Sequence, residues 1–229
     1  MNSLSKKIDN IIEEKSLLKH PFYQMWSDGK LSIDSLAGYS KEYFQMVKAV
    51  PGFVGTIASF APESLVTEIK ENQAEEAEHL EPWINFAVSL GVNDTEVVNY
   101  SGLEKTNSAV SELSQLITNL ESGAVAMYAF EKEIPKISHT KLEGLEKFYS
   151  ITASEATEYF RLHMEADIRH AATWRNIIDA IPEERHDELI RVAEKSLSAQ
   201  NHLLDRLLRK LLPSLYNFYT QKKSVFWGP

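Results

Sequence analysis

The sequence of 229 residues contains no cysteine. This absence excludes disulfide bonds, thiolate metal ligands and every mechanism that uses a cysteine nucleophile. It also fits the reducing conditions of the cytoplasm, and we expect a cytoplasmic protein.

Residues that interrupt helices are also scarce, with nine glycines and eight prolines. Between them the apolar residues recur at helical spacing, and the strict alternation typical of strands is absent. This pattern predicts an all-α fold of seven or eight helices in one bundle. The longest predicted helices cover 62–90, 105–133, 153–180 and 182–212, and a shorter one covers 139–149. We expect starts at Ser32, Pro62 and Asn93 or Asp94, and a stop at Gly91.

Basic residues are outnumbered by acidic ones, 24 to 33, which leaves a net charge of -9. A nucleic-acid partner is therefore not expected, since it would require a basic surface. No run approaches the roughly 18 apolar residues of a membrane span, and the N-terminus lacks the apolar core of a secretion signal. We expect a single domain over 1–229. Its aromatic tail, 213–229, suggests docking on this subunit or a partner, and hence a homodimer.

Two histidines and two acidic residues are concentrated in the eight residues "HMEADIRH", 163–170. His163, Asp167 and His170 are spaced i, i+4 and i+7, which stacks them on one face of a helix. Two imidazoles and a carboxylate on one face suit a metal site. A solvated, charged helix face is the alternative interpretation.

A second such group occurs in "AEEAEHLEPW", where Glu75 and Glu76 precede His79 by four and three residues. Glu131 lies in an otherwise apolar segment, where an unpaired buried carboxylate would be costly. With 33 acids among 229 residues, about one of the seven histidines should follow an acid by three positions; three do. The third, Glu183 with His186, is predicted to be a surface pair. Three histidines and three carboxylates would suit two iron or manganese ions.

Several stretches together resemble the chlamydial death-domain-associating protein (CADD) family of haem-oxygenase-like di-iron oxidases. The resemblance spans roughly residues 5–190, and its most specific element is His-x-x-x-Asp-x-x-His. The matching stretches are "HPFYQMWSDGKL", "YSKEYF", "HLEPWINFAVSLGV", "YAFEKEIPKI" and "HMEADIRHA".

The resemblance implies a haem-oxygenase-like bundle that holds two irons, or manganese plus iron. It places the ligands at His79, Glu131, His163, Asp167 and His170. The first glutamate falls on Glu75 or Glu76, because the family has a longer spacer before the histidine than "EEAEH" provides. We favour Glu76, which an ungapped upstream alignment brings to this position.

The resemblance also implies an activity, the oxygen-dependent formation of para-aminobenzoate for folate synthesis. In that family the protein consumes its own tyrosine as the source of the ring. The tyrosine matches Tyr23, a second family tyrosine matches Tyr39, and the lysine implicated in donating nitrogen matches Lys141. By spacing alone, these residues would be assigned to packing or to solvent. Dioxygen and an external reductant are the implied co-reactants.

Two other functions stay open: an oxidase of the same fold that acts on a free small molecule, and a helical bundle that only binds proteins. A thiaminase-like hydrolase is rejected because its nucleophile is cysteine. A cofactor-independent oxidase similar to pyrroloquinoline-quinone synthase would not need a full metal set. A haem protein would need a proximal histidine, for which His20 is the candidate, but the Gly-rich distal helix expected of haem oxygenases is missing.

Overall fold

A computed structural model describes residues 3–211, and this part of the chain contains helices and no β-strand. The predicted all-α fold class is therefore confirmed. The helices are α1 (Leu4–Glu14), α2 (Pro21–Ser27), α3 (Ile33–Val47), α4 (Val50–Phe60), α5 (Glu63–Glu78), α6 (Leu80–Ser89), α7 (Asp94–Asn99), α8 (Glu104–Leu116), α9 (Leu120–Glu131), α10 (Ile134–Tyr149), α11 (Ser154–Asp179) and α12 (His186–Leu211). Short 3₁₀ helices span Leu17–Lys19 and Glu183–Arg185.

The described helices outnumber the predicted ones because several predicted segments are divided. Segment 62–90 breaks at His79, which ends α5 and precedes α6. Pro82 explains the break, because it has no N–H to donate to the carbonyl of Glu78 and so removes one helical hydrogen bond. The break turns the chain at the position of a predicted metal ligand.

Segment 105–133 is divided in the same way, into α8 and α9. Asn119 begins α9 with a capping box, in which its side chain accepts a hydrogen bond from the backbone of Ser122. This local alternative for the backbone competes with a continuous helix. The stop at Gly91 is confirmed, with a φ of 85°. Ser32 and Asn93 cap α3 and α7 as predicted.

Helices α9 and α11 lie at the centre of the bundle. In α9 every residue from Ser122 to Glu131 is buried, and the helix packs against α11 and α12. Helix α11 also packs against α6 and α10. One hydrophobic core includes residues from all twelve helices. Polar side chains on the inner faces of α9 and α11 are therefore shielded from solvent.

The prediction of an aromatic tail at 213–229 lies outside the described residues. Within the described part of the chain, no helix is both long and apolar enough to cross a bilayer.

The contact between α2 and α10 leaves no room for a side chain at Gly144. A Cβ atom there would lie 2.5 Å from Cδ1 of the buried Trp26. We expect Gly144→Ala to lower the free energy of unfolding by about 1–3 kcal/mol, because Trp26 must shift. The matched control is Gly52→Ala in α4, where a Cβ would meet nothing within 4 Å. It should raise stability by about 0.4–1 kcal/mol. Urea denaturation of both variants checks the prediction, and equal effects would contradict it.

Candidate metal centre and aromatic cage

Six of the seven predicted ligands form one buried cluster, which contains two groups of possible metal ligands. Each group holds ligand atoms within 4.8 Å of one another, and Glu76 belongs to both. The first group contains Glu76, His79 and His163, and the second contains Glu76, Glu131, Asp167 and His170.

The two carboxylate oxygens of Glu76 face different groups. Its Oε2 lies 3.6 Å from Nδ1 of His79 and 4.0 Å from Nε2 of His163. Its Oε1 lies 3.2 Å from Nδ1 of His170, which is itself 3.7 Å from Oδ1 of Asp167. Glu76 is thus placed where one carboxylate could bridge two ions.

The local structure explains how these side chains meet. His163, Asp167 and His170 occupy one buried face of α11, as their spacing predicted. Glu131 is the last residue of α9, and Glu76 lies in the last turn of α5. The break between α5 and α6 lets the side chain of His79 join the same cluster.

The cluster contains buried polar atoms that no protein group satisfies. Five such atoms among the described residues are Nδ1 of His79, Oε1 of Glu131, both carboxylate oxygens of Asp167 and Nδ1 of His170. Leaving a buried polar atom unpaired costs on the order of 1–3 kcal/mol. Nitrogen and oxygen donors that converge without partners fit a bound divalent ion.

Neighbouring groups fix the orientation of two ligands. Nδ1 of His163 donates a hydrogen bond to the carbonyl of Tyr159 at 2.8 Å, so its Nε2 faces Glu76 with a lone pair. Nε1 of Trp174 donates to Oε2 of Glu131 at 2.5 Å and leaves Oε1 directed at the cluster. Such outer contacts hold metal ligands in place.

The electrostatics of the cluster also favour a cation. Burial raises the pKa values of Glu131 and Asp167 above their ordinary range. For Glu76, burial acts in the same direction, but the neighbouring imidazoles of His170 and His79 hold its pKa below the ordinary value. Burial likewise opposes a charge on His170, yet Asp167 and Glu76 raise its pKa to about 11. A divalent ion would let Glu131 and Asp167 ionise as well.

A second buried site surrounds Lys141 on α10. Its Nζ donates a 2.7 Å hydrogen bond to the hydroxyl of Tyr39 and lies 5.3 Å from the ring centre of Tyr23. Burial lowers the pKa of Lys141 to about 7. We call the six rings within 5.8 Å of Nζ the aromatic cage; they are Tyr23, Trp26, Tyr39, Tyr43, Trp83 and Phe160. The structure therefore brings the three predicted catalytic residues together.

Two tyrosines outside the predicted catalytic set connect the cage with the metal cluster. Tyr43 belongs to the cage and also lines a small cavity beside Glu76 and Asp167. Tyr159 stacks on His163 with ring centres 4.0 Å apart and contacts Trp83 of the cage at 4.6 Å. The available signal was spacing: Tyr43 follows Tyr39, and His163 follows Tyr159, by four residues.

Three residues that the sequence analysis considered, Glu75, His20 and His186, lie outside the two ligand groups. Glu75 lies outside both ligand groups and binds Arg169 and His170 instead. His20 caps α2: its Nδ1 accepts from the backbone of Phe22, and its Nε2 lies 3.2 Å from Asp205. His186 was wrongly predicted to be a surface residue. It is buried, and its Nε2 lies 3.2 Å from the carbonyl of Ile181.

Residues 5–210 match the TENA/THI-4/PQQC family. The match covers most of the chain, which therefore belongs to this family. Relatives named 4-aminobenzoate synthase match over nearly their whole length. That of Chlamydia pneumoniae is 28% identical over 221 residues, which cover 93% of this chain and 98% of the relative. The relative from Nitrosomonas europaea is 30% identical over 223 residues, which cover 89% of this chain and 90% of the relative.

Solved structures agree on the fold. A Shewanella denitrificans domain of unknown function with a haem-oxygenase-like fold gives a TM-score of 0.76 at 18% identity, over 99% of this chain and 94% of that one. A CADD-like protein of unknown function from Nostoc punctiforme gives a TM-score of 0.73 at 20% identity, over 91% of this chain and 97% of that one. The haem-oxygenase-like fold and the resemblance to the CADD family are thus confirmed.

The buried amine of Lys141 predicts a specific pH dependence of stability. Its pKa is about 7 in the folded chain and near 10.5 when unfolded, so between these values the unfolded state binds more protons. Relative to Lys141→Met, the free energy of unfolding should therefore rise by about 1.4 kcal/mol per pH unit across this window. Urea denaturation at about pH 7.5 and 9 measures the slope. A pH-independent difference would show that the folded amine titrates normally.

Proposed function

We propose that this protein is a 4-aminobenzoate synthase that builds its product from its own Tyr23. The names of the similar proteins support the product, which would enter folate synthesis. The observation that carries the proposal is the placement of Lys141 against Tyr39 and Tyr23 inside a buried aromatic cage. An amine and a phenol are thus held side by side, as the amino and ring components of the product require.

An internal substrate agrees with the space around the cluster. The cavity bounded by Tyr43, Glu76, Tyr159 and Asp167 has a volume of about 10 Å³. That is about enough for one water-sized molecule. Tyr23 is only 1% exposed. The geometry therefore favours oxidation of a residue of the chain over oxidation of a free organic molecule.

The chemistry divides between the cluster and the cage. Two bound redox-active ions, iron or manganese plus iron, would supply one-electron oxidation with dioxygen and an external reductant. Glu76, His79, Glu131, His163, Asp167 and His170 would hold them. Tyr43 and Tyr159 contact both sites, so they provide the short path along which Tyr23 would lose an electron and a proton.

Lys141 is suited to supply the nitrogen. A pKa of about 7 leaves a large fraction of its amine neutral at neutral pH, with a lone pair that can form a new bond. The hydrogen bond to Tyr39 holds the amine within the cage, and the fold sets its effective concentration at Tyr23. Consumption of these side chains would limit each chain to one turnover.

The test of self-consumption is intact-protein mass after anaerobic loading of the apoprotein with ferrous iron, then exposure to oxygen and a reductant. We expect a mass loss that maps to Tyr23, together with 4-aminobenzoate in solution. Tyr23→Phe should abolish both. Tyr128→Phe, which alters a buried tyrosine bonded to Asp9 outside the cage, should release 4-aminobenzoate like the wild type.

Two other outcomes of this experiment would contradict self-consumption of Tyr23. Turnover of an added small molecule with an unchanged protein mass would identify an oxidase of free substrates. If no metal binds and no product forms, the proposal is wrong.

The shared position of Glu76 predicts unequal losses of metal. The wild type should bind two ions per chain, Glu131→Gln should keep one, and Glu76→Ala should lose tight binding of both, because only Glu76 serves both groups. Glu165→Gln, an exposed residue of α11, is the control for loss of charge. Elemental analysis after desalting gives the stoichiometry. Equal retention in the two ligand variants would exclude a bridging role.

A further inference from the structure

Glu75, which the sequence offered as a possible first ligand, contacts the cluster from outside. Its Oε2 lies 2.9 Å from Nε2 of His170, while Nδ1 of the same ring lies 3.2 Å from Oε1 of Glu76. The imidazole ring therefore stands between Glu75 and the two ligand groups. A carboxylate only accepts, so the proton on Nε2 points at Glu75, and Nδ1 is the ring nitrogen left facing the cluster, where it could bind an ion.

Arg169 holds Glu75 in this position. Its two terminal nitrogens donate to the two oxygens of Glu75, each at 3.0 Å, in a bidentate pair. Arg169 therefore holds both Glu75 oxygens, and Oε2 also contacts Nε2 of His170. The side chain of Arg169 is 64% exposed, so the pair closes the solvent side of His170.

We propose that Glu75 is a positioning residue that fixes the tautomer and the ring orientation of His170 as a metal ligand, with Arg169 as its clamp. This inference rests on the proposed metal centre. It assigns different roles to adjacent glutamates: Glu76 bridges the two groups, and Glu75 supports one ligand of the second group. It also explains the arginine inside "HMEADIRH", which contacts no ligand directly but orients the carboxylate behind one.

Outer carboxylates of this kind typically change metal affinity by about 10–100-fold when they are removed. The effect of Glu75 should be confined to the group that contains His170. His79 and His163 of the other group have no contact with Glu75 among the described hydrogen bonds and ion pairs. One ion should therefore keep its affinity while the other is weakened.

The experiment is an anaerobic titration of the full-length apoprotein with Co²⁺, whose visible absorption reports ligand geometry. For Glu75→Gln we expect one ion bound as in the wild type and a 10–100-fold weaker second ion. At saturation the spectrum should match that of the wild type, because no ligand is lost. A changed spectrum at saturation would identify Glu75 as a ligand, and unchanged affinity for both ions would also overturn the proposal.

Two further variants separate positioning from general effects. Glu78→Gln removes an exposed acid from the same helix, and should leave both affinities unchanged. Arg169→Gln should weaken the same second ion less than Glu75→Gln does, and it alters a side chain that is 64% exposed. If Arg169→Gln lowers only the melting temperature, the pair is structural and the proposal fails.

The proposed function can fail separately. If the wild type takes up no Co²⁺, the metal centre is absent, and both proposals fall. If it binds two ions and Glu75→Gln binds them equally well, only the role of Glu75 is wrong.

Discussion

The carboxylate of Glu76 is the point on which the centre of this structure depends. It is buried at the end of α5, and it faces histidines of both ligand groups through different oxygens. An isolated charge in such surroundings would be strongly disfavoured. Three histidines stabilise it here. His163 is held by the carbonyl of Tyr159 and His170 by the carboxylate of Glu75, while His79 is placed by the break between α5 and α6. The bundle therefore concentrates unsatisfied donor atoms where solvent cannot reach them.

The aromatic cage likewise buries an ionisable group, here the amine of Lys141. Among residues 3–211, Lys141 has one hydrogen-bond acceptor, Tyr39, and burial among six rings lowers its pKa to about 7. The cage and the metal cluster are two sites joined by Tyr43 and by the pair of Tyr159 and His163. A phenol, an amine and a set of metal ligands are thereby enclosed in one core, in which the cavity beside Tyr43 and Asp167 has a volume of about 10 Å³.

Much of this could be predicted from periodicity and local chemistry. The face shared by His163, Asp167 and His170 follows from 3.6 residues per turn, and it required no knowledge of tertiary contacts. The choice between Glu75 and Glu76 did require such knowledge. The two residues are adjacent on one helix and point about 100° apart, so only the packing of α5 against α11 decides which enters the core. His186 shows the same limit: its spacing after Glu183 suggested a surface pair, whereas the folded chain buries it between Lys7 of α1 and the carbonyl of Ile181.

The sequence by itself determined the all-α class, the absence of thiol chemistry, the starts and stops of several helices, and a small set of candidate ligands. These depend on composition and on interactions within a few residues. Only the tertiary structure decided that Glu76 is shared by the two ligand groups, that Glu75 contacts the outer nitrogen of His170, and that the amine of Lys141 lies next to Tyr23 and Tyr39. Those contacts join residues about 90 to 120 positions apart, and local spacing carries no information about such distances.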